Sequence, residues 1–466
     1  MANLRGYLQM LGMEIPLCLY MLSSYLQYPV FQNLIYEKEC LLKYDQDLEF
    51  CRNVAGYYND SQIQSAANHF YFISSVVLMM PSLITTLLLG AATDYWSIKI
   101  PLVIPYIGLI LGTVNYIFQS YFIHTNVYYL LISDALFGVC GGFIAIISTT
   151  LTYGVKTSMI RHRSYRIAGI EGAIGLGGTI GYALSGTIRE ACGYAATFLI
   201  ILILEVVALI YLIALAKEST FEPSAMEENT SLIAATGKQL VGIIRDFFNV
   251  LTKPRSFRTI LSINLLAFGV ELLIFSGLSD IQYSYLRFKL KWGDKKYGWF
   301  SGLSYSLTTA TVLTLYPLLR SRALTDGQLA AMGLFFKLSA LIMFAFVQSD
   351  AMAFSTTALL MFNRFVSTGF RAFFSNIIDN NEQGKIFSVL ALLEGVTTLV
   401  ATAIYNNVYP KTLLVFPGLL YVISAALLVI PLIVILSSDF IVRSHRSYVS
   451  EGILGSHNDV IAEPSN

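Results

Sequence analysis

Long apolar runs alternate with short polar connections along almost the whole chain. Six runs precede a polar stretch in the middle of the sequence, residues 217–257, and six follow it. A helix needs about 20 apolar residues to cross the hydrocarbon core of a bilayer, and it satisfies its own backbone hydrogen bonds in lipid. The pattern therefore predicts twelve membrane-spanning helices, which lie near residues 11–35, 67–92, 101–122, 127–152, 166–188, 193–216, 258–284, 297–319, 328–348, 351–376, 385–408 and 412–437.

The polar stretch divides the predicted spans into two equal sets. We predict an N-terminal six-helix bundle over residues 1–216, a cytoplasmic central loop over 217–257, a C-terminal six-helix bundle over 258–437 and a cytoplasmic tail over 438–466. Repeated sets of membrane helices around a midplane site are typical of secondary transporters. The predicted fold class is therefore an all-α membrane protein with twelve transmembrane helices in two six-helix bundles.

The composition supports insertion into a membrane and excludes several other classes of protein. Of the 466 residues, 55% are hydrophobic and 13% are charged, and the mean hydropathy is +0.63. Soluble proteins carry about 25% charged residues, so this chain has too little charge to cover a water-exposed surface. Its net charge of +1 gives no indication of a nucleic-acid partner. The sequence contains no nucleophile–base constellation and no metal-ligand spacing, so we expect no enzymatic activity, no cofactor and no metal site.

Basic residues indicate which way the spans run, because loops rich in Lys and Arg stay in the cytoplasm. The connection 153–166 contains four of them, namely Lys156, Arg161, Arg163 and Arg166. Both termini and the central loop are then cytoplasmic, and the loop 36–66 faces outward or into a lumen.

One connection on the predicted outer side is also basic. It joins spans seven and eight, reads RFKLKWGDKK, and contains the five cations Arg287, Lys289, Lys291, Lys295 and Lys296. Two interpretations stay open. The cations form a solvated collar, or they form a funnel that attracts anionic substrates.

The loop 36–66 contains two features that suit an outer location. Cys40 and Cys51 are close in sequence, and a disulfide bond between them is plausible in an oxidising compartment. Asn59 begins the tripeptide Asn59-Asp60-Ser61, which is an acceptor pattern for N-glycosylation. We therefore predict a local disulfide bond and a glycan at Asn59.

Charged residues inside the predicted spans are the candidates for function. A charge at the centre of a bilayer costs about 2.5–3.5 kcal/mol on insertion scales, so each one needs an explanation. Some pair with one another and only fix helix positions; others bind protons or substrate. The spans contain eight such residues: Asp134, Glu171, Glu205, Glu271, Lys337, Arg364, Arg371 and Glu394.

Two of the carboxyl groups share a helix face with glycines. Gly175 and Gly178 follow Glu171 at four and seven residues, which places all three on one side of a helix. Glycine lets a neighbouring helix approach closely, and the loss of water favours the neutral form of a carboxyl group. Asp134 repeats the spacing with glycines at 138 and 141. Both residues are therefore predicted to load and unload protons.

Two arginines are candidates for substrate binding. Arg364 and Arg371 are seven residues apart in span ten and share one face of the predicted helix. They could pair with the carboxylates of other spans, or hold an anionic substrate through two parallel hydrogen bonds. Small organic anions and protons are therefore the expected partners, together with membrane lipids.

Several motifs resemble those of a known family. The connection GAATDYWSIK is similar to the signature of the major facilitator superfamily, with Gly90, Asp94 and Lys99 in place and Ser97 where glycine is expected. Closer still is the similarity to solute carrier family 46. It extends over nearly the whole chain and is carried by YMLSSYLQYPVFQNLIYEKEC, RSYRIAGIEGAIGLGG, FRAFFSNIIDNNEQGKIFSVLALLEG and IYNNVYPKTL.

This resemblance implies a twelve-helix proton-coupled carrier. By position, it makes Asp94 the aspartate of a gating loop that also includes Gly90 and Lys99. It makes Asp134 the aspartate of span four, Glu171 the proton-coupling glutamate of span five and Arg371 the arginine of span ten. The folate-carrying member has functional histidines in the central loop and span seven, and this chain has none at either place. The resemblance therefore leaves folate doubtful, and Glu271 is predicted to titrate in span seven instead.

The predicted function is proton-coupled symport of an organic anion, such as a folate-like compound, a steroid conjugate or a bacterial cell-wall fragment. The alternatives are a proton-independent facilitator and a polytopic receptor or scaffold without transport. The plasma membrane is the default location. A lysosomal membrane is the alternative, because the central loop contains Glu228-Asn229-Thr230-Ser231-Leu232-Ile233, which resembles an acidic dileucine sorting signal.

Overall fold

The fold is known from a computed structural model, which describes residues 12–44, 47–95, 99–156, 163–215, 241, 242, 245, 257–322, 324–378, 383–413 and 415–461. Within these ranges, the side chains of 54, 55, 90–95, 151, 152, 154–156, 163–168, 171, 215, 383–385, 387, 388 and 446–461 lie outside the description. The regular elements of the described residues are helices, with no strand among them. The predicted all-α fold is confirmed.

The N-terminal half comprises the described helices up to residue 215. They are α1 Glu14–Lys43, α2 Leu48–Arg52, α3 Val54–Tyr57, α4 Ser61–Tyr95, α5 Lys99–Tyr121, the 3-10 helix Val127–Leu130, α6 Leu131–Val139, α7 Gly142–Lys156 and α8 Arg163–Leu215.

The C-terminal half comprises the described residues from 257 onward. Its helices are α9 Arg258–Leu290, α10 Asp294–Ser321, α11 Asp326–Ala345, α12 Asp350–Leu360, α13 Asn363–Ile377, α14 Gln383–Thr412 and α15 Leu419–Ile461.

Eight stretches of these helices are long and apolar enough to cross a membrane. One of them, Gly172–Ala214, covers two predicted spans. The helices of predicted spans one, eight and ten do not meet the same criterion. Their sequences are more polar, and all three contribute side chains to the central cavity described below. Polar groups inside a membrane are tolerated where they face a cavity or the interior of a bundle. Twelve crossings remain a prediction.

Span four is interrupted between α6 and α7. Gly141 and Gly142 have φ angles of 105° and 58°, values that glycine adopts at little cost because it lacks a Cβ. A Cβ on Gly142 would also lie 2.3 Å from the Oγ of Ser82 in α4. The glycine pair therefore ends one helical segment and starts the next where the chain passes close to α4.

Span ten is interrupted between α12 and α13. The backbone carbonyl of Leu360, which ends α12, accepts a hydrogen bond of 3.2 Å from Thr308 Oγ1 in α10. A break in a membrane helix frees carbonyl groups, and a hydroxyl from a neighbouring helix can satisfy them. This break places the start of α13 at the wall of the cavity.

The boundary between predicted spans five and six lies within α8. The chain leaves the helical conformation at Gly193, where φ is 80° and ψ is 175°, so α8 comprises two helical segments joined by a kink close to the predicted boundary. One helix boundary differs from that predicted. The last helix was predicted to end at 437 but continues to Ile461. Between Pro431 and residue 461 the sequence contains no proline that would stop the helix. The helix therefore continues beyond the end of the apolar run.

The halves pack internally and against each other. In the N-terminal half, α1 and α5 pack along α8, and α6 lies between α4 and α5. In the C-terminal half, α9 packs on α14 and α11 on α15. The halves meet where α8 packs against α10 and where α4 packs against α14. A Cβ on Gly178 would lie 2.6 Å from the ring of Tyr305, so this predicted glycine face lies against α10.

Polar contacts join the halves at the end of the bundle that carries residues 36–66, which we call the outer end. Asn33 Oδ1 accepts a hydrogen bond of 3.0 Å from Tyr283 OH and one of 3.2 Å from Arg287 Nη1. Arg189 in α8 pairs with Asp294, the first residue of α10, through an Nε–Oδ2 contact of 2.7 Å. The outer end is therefore closed by direct contacts between the halves.

The basic connection after α9 contributes to this closure. The guanidinium group of Arg287 is buried over the rings of Tyr36 and Tyr57, at 4.4 and 4.8 Å from their centroids. Lys295 Nζ lies 2.5 Å from a carboxylate oxygen of Glu190 in α8. A solvated collar and an open funnel both require exposed cations. The structure places Arg287 in the contact between the halves, so neither interpretation fits that residue. Lys291 and Lys296 are exposed, and for these two cations both interpretations stay open.

Candidate functional site

A cavity of about 1130 Å³ lies between the two halves. Among the predicted site residues, Asp134, Glu271, Arg364 and Arg371 line it. Pockets for drug-sized ligands are typically about 300–1,000 Å³, so an organic molecule of some size could enter. The cavity is the candidate functional site.

Asp134 is held by two hydroxyl groups. Ser74 Oγ in α4 donates to Asp134 Oδ2 at 2.7 Å, and Tyr116 OH in α5 donates to Asp134 Oδ1 at 3.1 Å. The residue is 6% exposed. No basic group lies within 4 Å of it among the described residues. The carboxyl group therefore keeps its hydrogen bonds without a permanent counter-ion.

Glycine contacts explain how the first of these hydroxyls reaches Asp134. Gly138 lies one helical turn after Asp134, and a Cβ there would be 2.6 Å from the carbonyl oxygen of Leu78. Its absence lets α6 lie directly on the backbone of α4. Ser74 is one turn before Leu78 in α4, so the same close approach brings its hydroxyl to the aspartate.

A second glycine, Gly112 in α5, allows a similar close approach on the other side of α6. A Cβ on Gly112 would lie 3.2 Å from the carbonyl oxygen of Ser133, which also donates its hydroxyl to Gly112 O at 2.8 Å. Tyr116 follows Gly112 by one helical turn on the same face of α5. The close packing of α5 on α6 therefore positions the phenol next to Asp134.

The two predicted arginines both lie on α13 and face the cavity. Arg371 Nη2 lies 2.9 Å from Glu394 Oε2, and both side chains remain partly exposed, at 40% and 50%. The guanidinium carbon of Arg364 lies 5.0 Å from the ring centroid of Tyr305. The predicted shared face is therefore present, and it presents two positive charges to the cavity.

Glu271 is paired with another charged residue. Lys337 Nζ in α11 donates to Glu271 Oε1 in α9 at 2.6 Å, and each side chain is only 4% exposed. Sequence analysis identified both residues as charges within spans but did not predict that they meet, because 66 positions separate them.

Two further carboxyl groups, to which sequence analysis assigned no specific role, also lie at or near the cavity. Asp280 lines the cavity and accepts hydrogen bonds from Thr402 Oγ1 at 2.6 Å and Asn406 Nδ2 at 3.1 Å. Glu205 is fully buried and accepts a hydrogen bond of 3.0 Å from Thr113 Oγ1, a residue of the cavity wall. Asp280 falls inside predicted span seven, so the rule that each intramembrane charge needs an explanation would have identified it.

A cluster of tyrosines at the cavity was not predicted either. Tyr25, Tyr182 and Tyr305 come from three different helices, with ring centroids 4.8–6.0 Å apart. The hydroxyl groups of Tyr25 and Tyr305 are 2.6 Å apart and join the two halves. Single tyrosines in separate apolar runs carry no sequence signal of such a cluster.

Other predicted site residues lie outside the cavity or outside the described side chains. Glu171 lies in α8 and Gly90 and Asp94 lie in α4, but their side chains are outside the described part of the structure. Lys99 is the first residue of α5. The sorting pattern at 228–233 lies outside the described residues.

The outer loop holds the remaining predicted residues. Cys40 and Cys51 form a disulfide bond, with their Cα atoms 5.7 Å apart. Asn59 is exposed. The next residue, Asp60, accepts hydrogen bonds from Lys43 and Tyr44 at the end of α1. Glycosylation of Asn59 stays a prediction.

Comparison with known proteins identifies the class. The model of the Major Facilitator Superfamily matches residues 17–402, so the chain belongs to that superfamily and is a multi-pass membrane transporter. The relatives described next are transporters and not enzymes, as predicted.

Its relatives confirm the resemblance to solute carrier family 46. The chain is 28% identical over 375 residues to the proton-coupled folate transporter of Rattus norvegicus, which covers 80% of this chain and 79% of the relative. It is 25% identical over 377 residues to the lysosomal proton-coupled steroid conjugate and bile acid symporter SLC46A3 of Homo sapiens, with 80% of each chain covered.

A solved structure shows the same fold. The human organic anion transporter MFSD10 superimposes with a TM-score of 0.64 at 15% identity, covering 91% of this chain and 98% of that one.

Proposed function

We propose that the protein is a proton-coupled symporter of an organic anion. The observation that carries this proposal is the distribution of charge in the cavity. Asp134, which has no basic group within 4 Å among the described residues, lines the cavity together with the cations Arg364 and Arg371 of the other half. Such a cavity can accept an anion and a proton together.

The anion-binding role rests on the arginines of α13. Arg371 keeps 40% of its side chain exposed while it pairs with Glu394, so part of its planar fork remains accessible from the cavity. Guanidinium groups bind carboxylates through two parallel hydrogen bonds. The arrangement supports the binding of a carboxylate, sulfate or phosphate group of the substrate.

The proton-binding role rests on Asp134. A carboxyl group held only by hydroxyl donors can gain a proton without losing an ion pair. When it is protonated, the closed cavity contains one bare charge fewer, which lowers the cost of moving the halves around it. We also propose Glu171 as a coupling residue, on the strength of the family resemblance and its position before the glycines that pack on α10.

Closed contacts at the outer end support alternating access between the two bundles. Opening there would require separation of Arg189 from Asp294 and of Tyr283 from Asn33. We propose that the two halves rock about the cavity, so that these contacts form and break once in each transport cycle.

The substrate belongs to the organic anions, and the relatives suggest where to begin. One is named for folate and another for steroid conjugates and bile acids. The lysosomal relative also makes the lysosome a reasonable second location beside the plasma membrane.

Uptake of labelled anions by expressing cells tests the proposal. The panel contains folic acid, estrone sulfate and taurocholate, each measured with an acidic and with a neutral outer solution, and untransfected cells provide the background. We expect at least one anion to accumulate faster under the acidic condition, and a protonophore to remove the difference. Equal uptake from the acidic and the neutral outer solution would instead indicate a proton-independent facilitator. If no anion is bound or transported, a receptor or scaffold becomes the better interpretation.

A further inference from the structure

The ion pair between Lys337 and Glu271 lies in the wall of the cavity. Nζ and Oε1 are 2.6 Å apart, both side chains are 4% exposed, and both residues line the cavity. The ammonium group also lies 5.1 Å from the ring centroid of Phe275. The pair is therefore buried, and it adjoins the space in which a substrate would bind.

Another buried lysine shows what a purely structural role requires. Lys38 Nζ donates to the carbonyl oxygens of Phe122, Ile123 and Thr125 and to the hydroxyl of Thr125, at 3.0–3.2 Å. These acceptors fix the end of α1 to the loop after α5. Lys337, in contrast, has one described hydrogen-bond acceptor, and that acceptor is a side-chain carboxylate and not a backbone carbonyl.

Stability alone does not account for the pair. Replacing a buried ion pair by apolar side chains of similar volume is often neutral or stabilising. Helix α15 packs against both α9 and α11, so the two helices that carry the pair are already held by a common neighbour. We therefore expect the charge pair at this position to have a role in the cavity.

We propose that Lys337 is an anion-binding residue and that Glu271 occupies it until an acidic group of the substrate takes its place. The inference rests on the proposed function and adds a binding residue to it. Its ligand is a carboxylate or sulfate group of the transported anion, which forms a charge-assisted hydrogen bond with the ammonium group.

The exchange has a consequence for coupling. Before binding, Lys337 and Glu271 neutralise each other. After binding, the substrate neutralises Lys337, and Glu271 becomes a buried carboxylate without a counter-ion, which is unfavourable. Uptake of one proton from the acidic solution restores neutrality. Each acidic group bound at Lys337 is therefore accompanied by one proton on Glu271.

The surrounding groups are compatible with this exchange. Arg371 is paired with Glu394 at 2.9 Å, and Asp280 on the same helix as Glu271 is bound by Thr402 and Asn406. Helices packed against α9 and α11 present these titratable or charged side chains to the cavity: Tyr71, Tyr297, Tyr305, Arg364, Arg371, Glu394 and Tyr421. Among the residues that the structure describes, the ionic contact of Glu271 within 4 Å is with Lys337.

Thermal unfolding of the purified full-length protein tests the proposal with benzoate as the anionic probe and benzamide as its neutral counterpart. At acidic pH, we expect benzoate, and not benzamide, to raise the unfolding temperature of the wild type. Glu271→Gln frees the lysine, so it should need roughly tenfold less benzoate for the same shift and should lose the pH dependence.

The neutral double variant Glu271→Gln/Lys337→Gln leaves no unpaired charge, so it should fold even if Lys337→Gln alone does not. We expect it to need at least about tenfold more benzoate than the wild type. Lys296→Gln is the matched control, because Lys296 pairs with Asp350 in the same half at 2.7 Å and is not part of the cavity wall. Its benzoate response should equal that of the wild type.

Three outcomes would overturn the inference: equal shifts with benzoate and benzamide, a double variant that responds like the wild type, or a Glu271→Gln variant with unchanged benzoate response. None depends on transport. If benzoate binds at Lys337 as expected but folic acid, estrone sulfate and taurocholate are not carried with protons, only the proposed function is contradicted.

Discussion

The two halves satisfy the carboxyl groups at or near the cavity in different ways. In the N-terminal half, Asp134 and Glu205 accept hydrogen bonds from hydroxyl groups. In the C-terminal half, Glu271 and Glu394 each pair with a basic side chain, at 2.6 and 2.9 Å. Asp280 is an exception within the C-terminal half, because a hydroxyl and an amide hold it.

The difference suggests a division of labour. A carboxyl group with hydroxyl donors can take up a proton while its surroundings stay in place. A carboxylate in an ion pair changes protonation only when its cation finds another anion. The N-terminal wall is therefore suited to protons alone, and the C-terminal wall to anions, or to anions together with protons.

The largest effect is expected at Asp134. Asp134→Asn imitates the protonated carboxyl group permanently, so we expect exchange of the substrate between equilibrated sides to persist. Accumulation driven by a pH gradient should fall, because the proton that accompanies the anion at Glu271 remains but the proton carried by Asp134 is lost. Both activities are measured in proteoliposomes at matched protein content.

The matched control for this prediction is Asp280→Asn, which changes the same chemistry in the other half. It should retain gradient-driven accumulation. If Asp280→Asn loses accumulation while Asp134→Asn keeps it, the assignment of protons to the N-terminal wall is wrong.

The second prediction concerns the closed outer end. Arg189→Gln leaves the buried Asp294 without its cation, and loss of one partner from a buried pair costs about 3–5 kcal/mol. Because that cost falls on the outward-closed state, we expect the population open to the outside to rise by roughly a hundredfold or more. The rate at which a cysteine introduced at Ser301, in the cavity wall, is labelled from outside measures this population.

Lys295→Gln provides the comparison. Lys295 and Glu190 form an exposed pair, which contributes about 0–1 kcal/mol. Its labelling rate should stay close to that of the parent protein. Equal labelling of both variants would show that the Arg189–Asp294 contact does not hold the halves together.

The third prediction concerns the anion-binding wall. Arg371→Lys keeps the positive charge but loses the planar fork, so we expect the KM for the transported anion to rise about tenfold with a smaller change in kcat. Arg371→Ala should raise it further, at equal surface expression. Unchanged transport by Arg371→Ala would exclude both substrate binding and an essential pair with Glu394.

Sequence analysis predicted the positions of the helices well, because lipid allows few other backbone structures. It did not predict the interruptions of spans four and ten. The glycine pair at 141 and 142 is visible in the sequence, but its positive φ angles depend on the close passage of α4 beside it. The break after Leu360 carries no Gly or Pro, and it depends on a hydroxyl from another helix.

The candidate site was predicted as a list of charges and not as a set of contacts. Asp134, Arg364 and Arg371 were identified as candidates because charge is rare in apolar spans. The partners of Asp134 were not, since a serine and a tyrosine in other spans are ordinary residues until helix packing brings them close. The pairing of Glu271 with Lys337 likewise depends on the arrangement of α9, α11 and α15.

The last prediction concerns the loop 36–66, which belongs to the N-terminal half and lies at the outer end. Removal of its predicted glycan should leave transport unchanged. Asn59 is exposed, and its predicted glycan requires the loop 36–66 to be outside or luminal. Glycosidase treatment should therefore increase the electrophoretic mobility of the protein, and Asn59→Gln should abolish the shift. Asp60→Asn is the matched control, because it replaces the carboxylate that accepts from Lys43 and Tyr44 by a neutral amide but keeps the glycosylation pattern. Its mobility shift should persist. A shift that survives Asn59→Gln would contradict the predicted acceptor, and the absence of any shift in the wild type would remove the glycan as support for this topology.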